Sequence, residues 1–370
     1  MDPLHVVHVV LSLDHGGLER VVLHLARQAP RLNQRVSIVC LERRGVLAAE
    51  AEALGATVHC INKPPGLRLK TRIEVRELLK KIKPDVVHTH QNTALFYTGP
   101  VAHRLKVPVI VHTEHGKQIQ TWKQKLMAWW SARYVNRYFC VSEDIRQSVA
   151  GKLVLARKTA VVYNGIDFYH VRKHVDTAAL RKQWNIPDGV PVIGTVGRLA
   201  RVKRQDLLLQ VFAKVRDAVP NCHLLIVGDG EERANLEAQA QQMKLSEVVH
   251  FTGFQTNPAP ALKLMSAFLL TSESEGMPLS ILEAWGVGVP VAAFAVGGLP
   301  ELLKNGETGS LAPFGDVNGL AQHVMQFLSH PEIAHSYINH TQQLVDAQFD
   351  VRNMARSYDT AYRELLGGQR

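Results

Sequence analysis

Short apolar runs alternate with amphipathic helical segments along this chain, and the alternation starts twice. Val6–Leu13 reads as a buried strand, and Leu18–Gln28 as a helix with Leu18, Val21, Val22, Leu25 and Ala29 along one face. Val36–Leu41 reads as a strand, Val46–Leu54 as a helix, Thr57–Ile61 as a short strand and Ile73–Ile82 as a basic helix. Asp85–His90 and Val109–Thr113 are further strands, which completes the βαβ rhythm of a parallel sheet. Val161–Asp167 (VVYNGID) closes this series, and a polar, helix-containing segment follows. Val192–Val196 opens a second series, with Leu224–Val227, Val249–Phe251, Ala267–Leu270 and Val291–Phe294 as its later strands. The expected fold class is therefore α/β, with two Rossmann-like, doubly wound parallel-sheet domains facing across a cleft. In such sheets ligands sit beyond the carboxyl ends of the strands. A length of 370 residues exceeds one compact core and suits two such domains.

Composition narrows the class. The chain is 46% hydrophobic and 21% charged, which is ordinary for a globular protein. It contains no run of eighteen apolar residues, so no membrane-spanning helix is expected, and its start lacks the features of a signal peptide. Cys40, Cys60, Cys140 and Cys222 are scattered and form no CxxC pair, which reads as buried thiols in a reducing cytoplasm. The net charge of +10 is uneven. Residues 1–166 hold 25 Lys/Arg against 12 Asp/Glu, and residues 167–370 hold 18 against 21. Such asymmetry fits either an anionic partner of the first half or a solvated basic surface.

Three glycine turns join a strand to a helix: Gly16-Gly17, Gly194–Gly197 with Arg198, and Gly297-Gly298. Glycine lets backbone approach a ligand, and a helix N-terminus offers unpaired N–H groups to an anion. None of the three has the GxGxxG dinucleotide fingerprint. In GTVGRLARVKRQDLLLQVF, Arg198 follows a strand and Lys203 precedes a helix. Such a pair suits a diphosphate, with a guanidinium fork from one side and a point charge from the other; a basic surface loop is the alternative. In TSESEGMPLSILEA (271–284), seven residues separate Glu275 from Glu283. Glu275 lies in a loop before Gly276, and Pro278 fits the first turn of a helix that carries Glu283. Carboxylates accept hydrogen bonds only, which suits sugar and ribose hydroxyls. A helix dipole accounts for acids at a helix start, but not for Glu283 within an apolar helix.

This last segment resembles the E-x7-E motif of glycosyltransferase family 4, whose members have the GT-B fold and retain anomeric configuration. The likeness runs along nearly the whole chain. SLDHGGLER, DVVHTH, VHTEHG, VSEDIR, VVYNGID, GRLARVK, VGDGEERANL, HFTGF, TSESEGMPLSILEA and GGLPELLKNGETG stand in the family's order. The first is similar to bacterial exopolysaccharide and lipid-linked glycan sugar transferases. The resemblance implies an acceptor-binding domain over 1–166 and a nucleotide-sugar-binding domain over 167–350, with the helix 351–366 packed back on the first. It implies that Arg198 and Lys203 bind the donor diphosphate and that Glu283 holds the ribose. Glu275, with the amides near Gly276 and Met277, would hold the donor sugar. Gly17 would bring an amide to the phosphates, Phe254 would line the base pocket, and His115 would be the active-site histidine. The implied donor is a UDP-, GDP- or ADP-sugar carrying a hexose. The acceptor is a glycan or lipid-linked molecule of cell-surface polysaccharide synthesis. No metal or other cofactor is implied, because cations and amides neutralise the leaving diphosphate.

The remaining signals bear on rivals and on the acceptor. His88, His90, His112 and His115 sit at two strand ends, but no Cys or carboxylate set completes a metal-ligand spacing. His88 and His90 read as packed or hydrogen-bonded residues. Leu67–Lys83 carries seven Lys/Arg, and Lys117–Tyr138 combines Lys117, Lys123, Lys125, Arg133 and Arg137 with Trp122, Trp129, Trp130, Tyr134 and Tyr138. On a helix, Leu126, Met127, Trp130, Tyr134 and Tyr138 lie along one side. That fits an interfacial helix on an anionic membrane, at the inner face of the cytoplasmic membrane, or a core helix whose basic face is solvated. An inverting transferase would need a general base, for which His115 is the candidate. A nicotinamide-dependent oxidoreductase lacks its fingerprint here, and no nucleic-acid-binding motif is present.

Overall fold

Runs of β-branched and other apolar residues form the strands of two wholly parallel sheets, one in each of two compact units. The computed structural model describes residues 2–117, 121–173, 177–304 and 306–368. One unit comprises Met1–Gly165 and Val351–Arg370, and the other Ile166–Asp350. In the second unit, the backbone N–H of Ile166 donates to the carbonyl of Phe349 at 3.0 Å. The chain therefore enters and leaves that unit at neighbouring points, as an insertion into the first.

The first sheet contains β1 (Leu4–Val10), β2 (Gln34–Cys40), β3 (Thr57–Cys60), β4 (Val86–Thr89), β5 (Val109–Glu114), β6 (Arg137–Cys140) and β7 (Thr159–Val161). Its order is β3-β2-β1-β4-β5-β6-β7. Strand β1 is buried on both faces, which explains its unbroken apolar reading. The helices α1 (Gly17–Gln28), α2 (Thr71–Ile82), α3 (Asn92–Arg104) and α4 (Trp122–Ala132) follow strands or their loops. The C-terminal helix (Val351–Gly367) belongs to this unit and buries Tyr358 and Tyr362. Tyr358 stands edge-on to Phe139, with ring centroids 5.1 Å apart.

Two expectations need correction here. The basic aromatic stretch is not one helix to Tyr138, because α4 ends at Ala132 and Arg137 and Tyr138 open β6. Tyr138 instead donates from its hydroxyl to the buried Glu114 carboxylate at 2.8 Å. Cys60 is only half-buried, and its thiol donates to Asn62. Residues 118–120 of that stretch, and Asn305 of GGLPELLKNGETG, lie outside the described residues. Among the described residues no helix is long and apolar enough to cross a membrane.

The second sheet contains β8 (Val192–Val196), β9 (His223–Val227), β10 (Val249–Gly253), β11 (Ala267–Leu270), β12 (Val291–Phe294) and β13 (Ser310–Ala312), in the order β10-β9-β8-β11-β12-β13. The helices α5 (Gln205–Ala218) and α6 (Leu279–Gly286) follow β8 and β11. Strand ends close tightly at Gly228. Its φ is +142°, and a Cβ there would lie 1.9 Å from the carbonyl oxygen of Gly197. Gly228→Ala is expected to destabilise the protein by roughly 2–4 kcal/mol through backbone strain and overpacking. Urea unfolding would show this; Gly315→Ala, where a Cβ meets open space, serves as the milder control.

Candidate active site

Each sheet has one place where its winding reverses, and the chemically equipped loops gather there. In the second sheet that place lies between β8 and β11. The loop after β8 carries Arg198 and Lys203, and the loop after β11 carries Glu275, Gly276 and Met277. Backbone bonds clip the two loops together. The N–H of Glu273 donates to the Val202 carbonyl at 2.9 Å, and the Thr271 hydroxyl donates to the carbonyls of Lys203 and Arg204.

At the clip, Lys203 Nζ donates to Glu275 Oε1 at 2.6 Å, and the Ser272 hydroxyl donates to the same oxygen at 2.6 Å. Glu275 is buried and Lys203 half-buried, so the charges are partnered rather than stranded. The loop that holds Glu275 depends on a close approach at Gly297, whose φ is +55° and whose Cβ would lie 2.0 Å from the Glu275 carbonyl oxygen. The N–H of Gly298 donates to that same oxygen at 3.1 Å. Gly297-Gly298, an anion-binding turn on sequence grounds, thus supports the backbone of Glu275.

Arg198 is exposed, and its guanidinium forms no ion pair among the described residues. Its carbonyl accepts from the Gln205 side chain at 3.0 Å, which ties the loop to the start of α5. Lys203, its expected partner on a diphosphate, already meets Glu275. Glu283 is the fifth residue of α6 and half-buried, while Leu279, Ile281, Leu282, Ala284 and Trp285 around it are buried. Pro278 stands just before α6 as its cap rather than inside its first turn. Gly276 and Met277 are buried in the loop, and Phe254 follows β10 with a partly exposed ring. Together these residues offer a free guanidinium, a carboxylate–ammonium pair and an acid on an apolar helix.

In the first unit the winding reverses between β1 and β4. Gly17 opens α1 just beyond β1 and is exposed, with open space where a Cβ would sit. Packing does not require glycine there, and a ligand can approach its backbone. The N–H of Leu11 donates to the Gln91 side chain at 2.8 Å, which joins the ends of β1 and β4. His115 follows β5 and keeps an exposed edge.

Behind His115 lies a cluster in which His8 is the member that sequence reasoning missed. His8 and His88 are register partners on β1 and β4. His8 Nδ1 meets His90 Nε2 at 2.9 Å, and His90 Nδ1 meets His115 Nε2 at 3.1 Å. His88 is held by the Tyr362 hydroxyl at 2.6 Å and by Thr113 Oγ1 at 2.7 Å. Nitrogens of His8, His88 and His90 lie within 4.8 Å of one another. Both nitrogens of His88 and both of His90 already have hydrogen-bond partners, so a metal ion would have to displace these bonds. Burial pushes His8 down to about 3, and burial aided by the neighbouring His112 does the same to His115. His88 and His90 are lowered well below the usual range, chiefly by burial.

Comparison with known proteins agrees with this architecture. The family model described as Glycosyltransferase Family 4 matches residues 15–169, and the one described as Glycosyl transferases group 1 matches residues 176–344. An O-antigen biosynthesis glycosyltransferase of Escherichia coli is 33% identical over 300 residues, covering 78% of this chain and 79% of that protein. The Escherichia coli UDP-Gal:α-D-GlcNAc-diphosphoundecaprenol α-1,3-galactosyltransferase is 28% identical over 331 residues, 85% of each chain. The crystal structure of Anabaena HepE with UDP and glucose superposes with a TM-score of 0.87 at 21% identity, covering 98% of this chain and 100% of that one. The two sheets and their windings are those of a GT-B glycosyltransferase. The chain belongs to glycosyltransferase family 4 and is a transferase enzyme.

The buried histidines set a pH dependence of stability. Their folded pKa values lie below the unfolded value of 6.5, so the unfolded chain takes up protons first as pH falls. Their contribution is complete above pH 6.5 and is lost between about 6.5 and 3. One fully buried histidine gives a slope of about 1.4 kcal/mol per pH unit in that window. The urea midpoint is expected to fall steadily from pH 7 to pH 5; a flat profile would contradict a neutral, buried cluster.

Proposed function

We propose that the protein is a retaining glycosyltransferase that moves a hexose from a nucleoside-diphosphate sugar to a glycan or lipid-linked acceptor in cell-surface polysaccharide synthesis. The observation that carries this reading is the Lys203–Glu275 pair beside the exposed Arg198, at the winding reversal of the second sheet. Arg198 and Lys203 hold the diphosphate and neutralise the charge it gains as the glycosidic bond breaks, so no metal ion is required. Glu275, with the amides of Gly276 and Met277, holds the donor sugar and stabilises positive charge at its anomeric carbon. Glu283 accepts from the ribose hydroxyls, and Phe254 lines the base pocket. Gly17 brings a backbone amide to the phosphates. His115 hydrogen-bonds the transferring sugar.

In the proposed step the acceptor oxygen bonds to the anomeric carbon on the face from which the diphosphate leaves. The bond from that carbon to the phosphate oxygen breaks, and the departing phosphate takes the acceptor's proton. The inverting alternative needs a general base, for which a pKa near the operating pH is ideal. Burial pushes His115 down to about 3, away from that optimum. Uridine is the first base to test, because the galactosyltransferase relative is named for UDP-Gal and the Anabaena structure carries UDP.

The acceptor side of the reading rests on α4. Trp122, Leu126 and Trp129 form an exposed stripe at four- and three-residue spacing, and Trp122 is 70% exposed. Lys123 lies 5.7 Å from the Trp122 ring and Arg133 4.9 Å from the Trp129 ring. Trp130 turns the other way, packing on Phe96, and Arg72 of α2 lies against both rings, 4.4 Å from Phe96 and 5.0 Å from Trp130. Near Arg72, Leu67, Leu69 and Ile73 are also exposed among cations. Apolar side chains ringed by positive charge suit peripheral docking on an anionic lipid surface, where a lipid-linked acceptor resides.

Thermal-shift titration with UDP, GDP and ADP, each with EDTA present, tests the donor site. Arg198→Ala is expected to lose nearly all turnover. Glu283→Ala should weaken nucleotide binding about tenfold to a hundredfold, the worth of a hydrogen bond to a charged group. Wild-type affinity and turnover in both variants would place the site elsewhere, and turnover abolished by EDTA would end the metal-free reading. The anomeric configuration of the product, read by NMR, decides between retention and inversion. The double variant Trp122→Ala/Trp129→Ala should lose most of its sedimentation with vesicles containing anionic phospholipid; unchanged binding would rule out the stripe as the docking face.

A further inference from the structure

The chain of imidazoles running inward from His115 has no part in the reaction just described, and its geometry restricts what His115 can do. Three rings are joined end to end, His8 Nδ1 to His90 Nε2 at 2.9 Å and His90 Nδ1 to His115 Nε2 at 3.1 Å. His8 and His90 are 2% and 1% exposed, so the bond between them is shielded from water. A neutral imidazole has one N–H and one bare nitrogen. His90 must therefore donate through one nitrogen and accept through the other, and only two proton arrangements satisfy both bonds. In one, His8 donates to His90 and His90 donates to His115, whose proton then sits on Nδ1. In the other, every proton is on the opposite side of its bond, and His115 Nδ1 is bare. In both, His115 Nε2 is occupied and only Nδ1 is left for a ligand.

The ring of His90 is also fixed in angle. It stacks on His88 with centroids 4.1 Å apart, and His88 is pinned by Tyr362 on one side and Thr113 on the other. Thr113 is anchored in turn to the Tyr358 hydroxyl at 3.1 Å. Two side chains of the C-terminal helix and strand-end residues of β4 and β5 thus hold the ring that holds His115.

We propose that His90, supported by His8, is a positioning residue that fixes the ring orientation of His115 and keeps its Nε2 engaged, so that Nδ1 alone meets a sugar hydroxyl as a directional hydrogen-bond partner rather than as a proton acceptor in catalysis. This inference rests on the reading that His115 touches the transferring sugar. The depressed basicity of all three rings agrees with it, since burial keeps each ring neutral.

The test uses the full-length protein labelled with 15N in its histidine rings, together with steady-state kinetics. In the wild type, His115 is expected to stay neutral from pH 8 to pH 5, with a scalar coupling across the hydrogen bond between its Nε2 and His90 Nδ1. Titration near pH 6.5, or the absence of that coupling, would overturn the proposal without any variant. His90→Leu should free His115 Nε2 and let the ring titrate, and kcat should fall at least tenfold with the KM for the nucleotide sugar changed less. His90→Gln, whose amide can both donate and accept, should recover most of kcat. Should His90→Leu not fold, His8→Leu removes the inner bond and is expected to weaken the coupling between His90 and His115. A His90→Leu protein that is folded and keeps the wild-type ring signals sinks the proposal. If His115→Ala is fully active, the assignment of His115 to the sugar fails on its own, and the ring signals alone still decide whether His90 holds its Nε2.

Discussion

Every strand of a parallel sheet ends on the same edge, and a chain that winds outward from a central strand in both directions leaves a gap between the two loops at the reversal. The rest of this structure depends on that constraint. Backbone N–H groups and helix starts collect at that edge, so the reversal is where side chains from distant parts of the sequence can meet without disturbing the core. In the second sheet it brings Lys203 to Glu275 across 71 intervening residues. In the first it brings His8 to His90.

The two reversals manage polarity in opposite ways. The second unit keeps charge and partners it: the Glu275 carboxylate accepts from Lys203 and Ser272, while its backbone rests on Gly298. An isolated buried carboxylate would be costly, but a bonded one is tolerated and remains an acceptor for a polar ligand. The first unit removes charge: its imidazoles are buried deeply enough to stay neutral, and each spends its hydrogen-bonding capacity on another ring, a threonine or a tyrosine. One unit is thus suited to holding an anion's counter-charges, and the other to directional, uncharged contacts with a sugar.

The positive charge of the first half acquires a location in the same way. Cations of the α2 and α4 segments are interleaved with exposed tryptophan, leucine and isoleucine side chains, and Arg72 lies against the rings of both Phe96 and Trp130. That arrangement gives the surface an apolar content that a merely solvated basic face lacks. The aromatic stretch faces two ways: Trp130 and Tyr134 pack inward, while Trp122, Leu126 and Trp129 face out.

The sequence by itself determined the class and the family, and it named the candidate donor-side residues. Strand and helix periodicities are local, and the spacing of Glu275 and Glu283 is set by one loop and two turns of one helix, so both are legible along the chain. The tertiary structure alone decided what depends on register and facing. His8 carries no local mark, and it joins His90 and His115 only because β1 lies beside β4 and β4 beside β5. Gly297 looks like an anion-binding turn until the carbonyl of Glu275 is found where its Cβ would be. The short strand β6 was hidden because aromatic residues continue a helical pattern as readily as they begin a strand, and only pairing with β5 settles which. Periodicity reports what a segment prefers; which segments meet is fixed by sheet order, and that is a property of the folded chain.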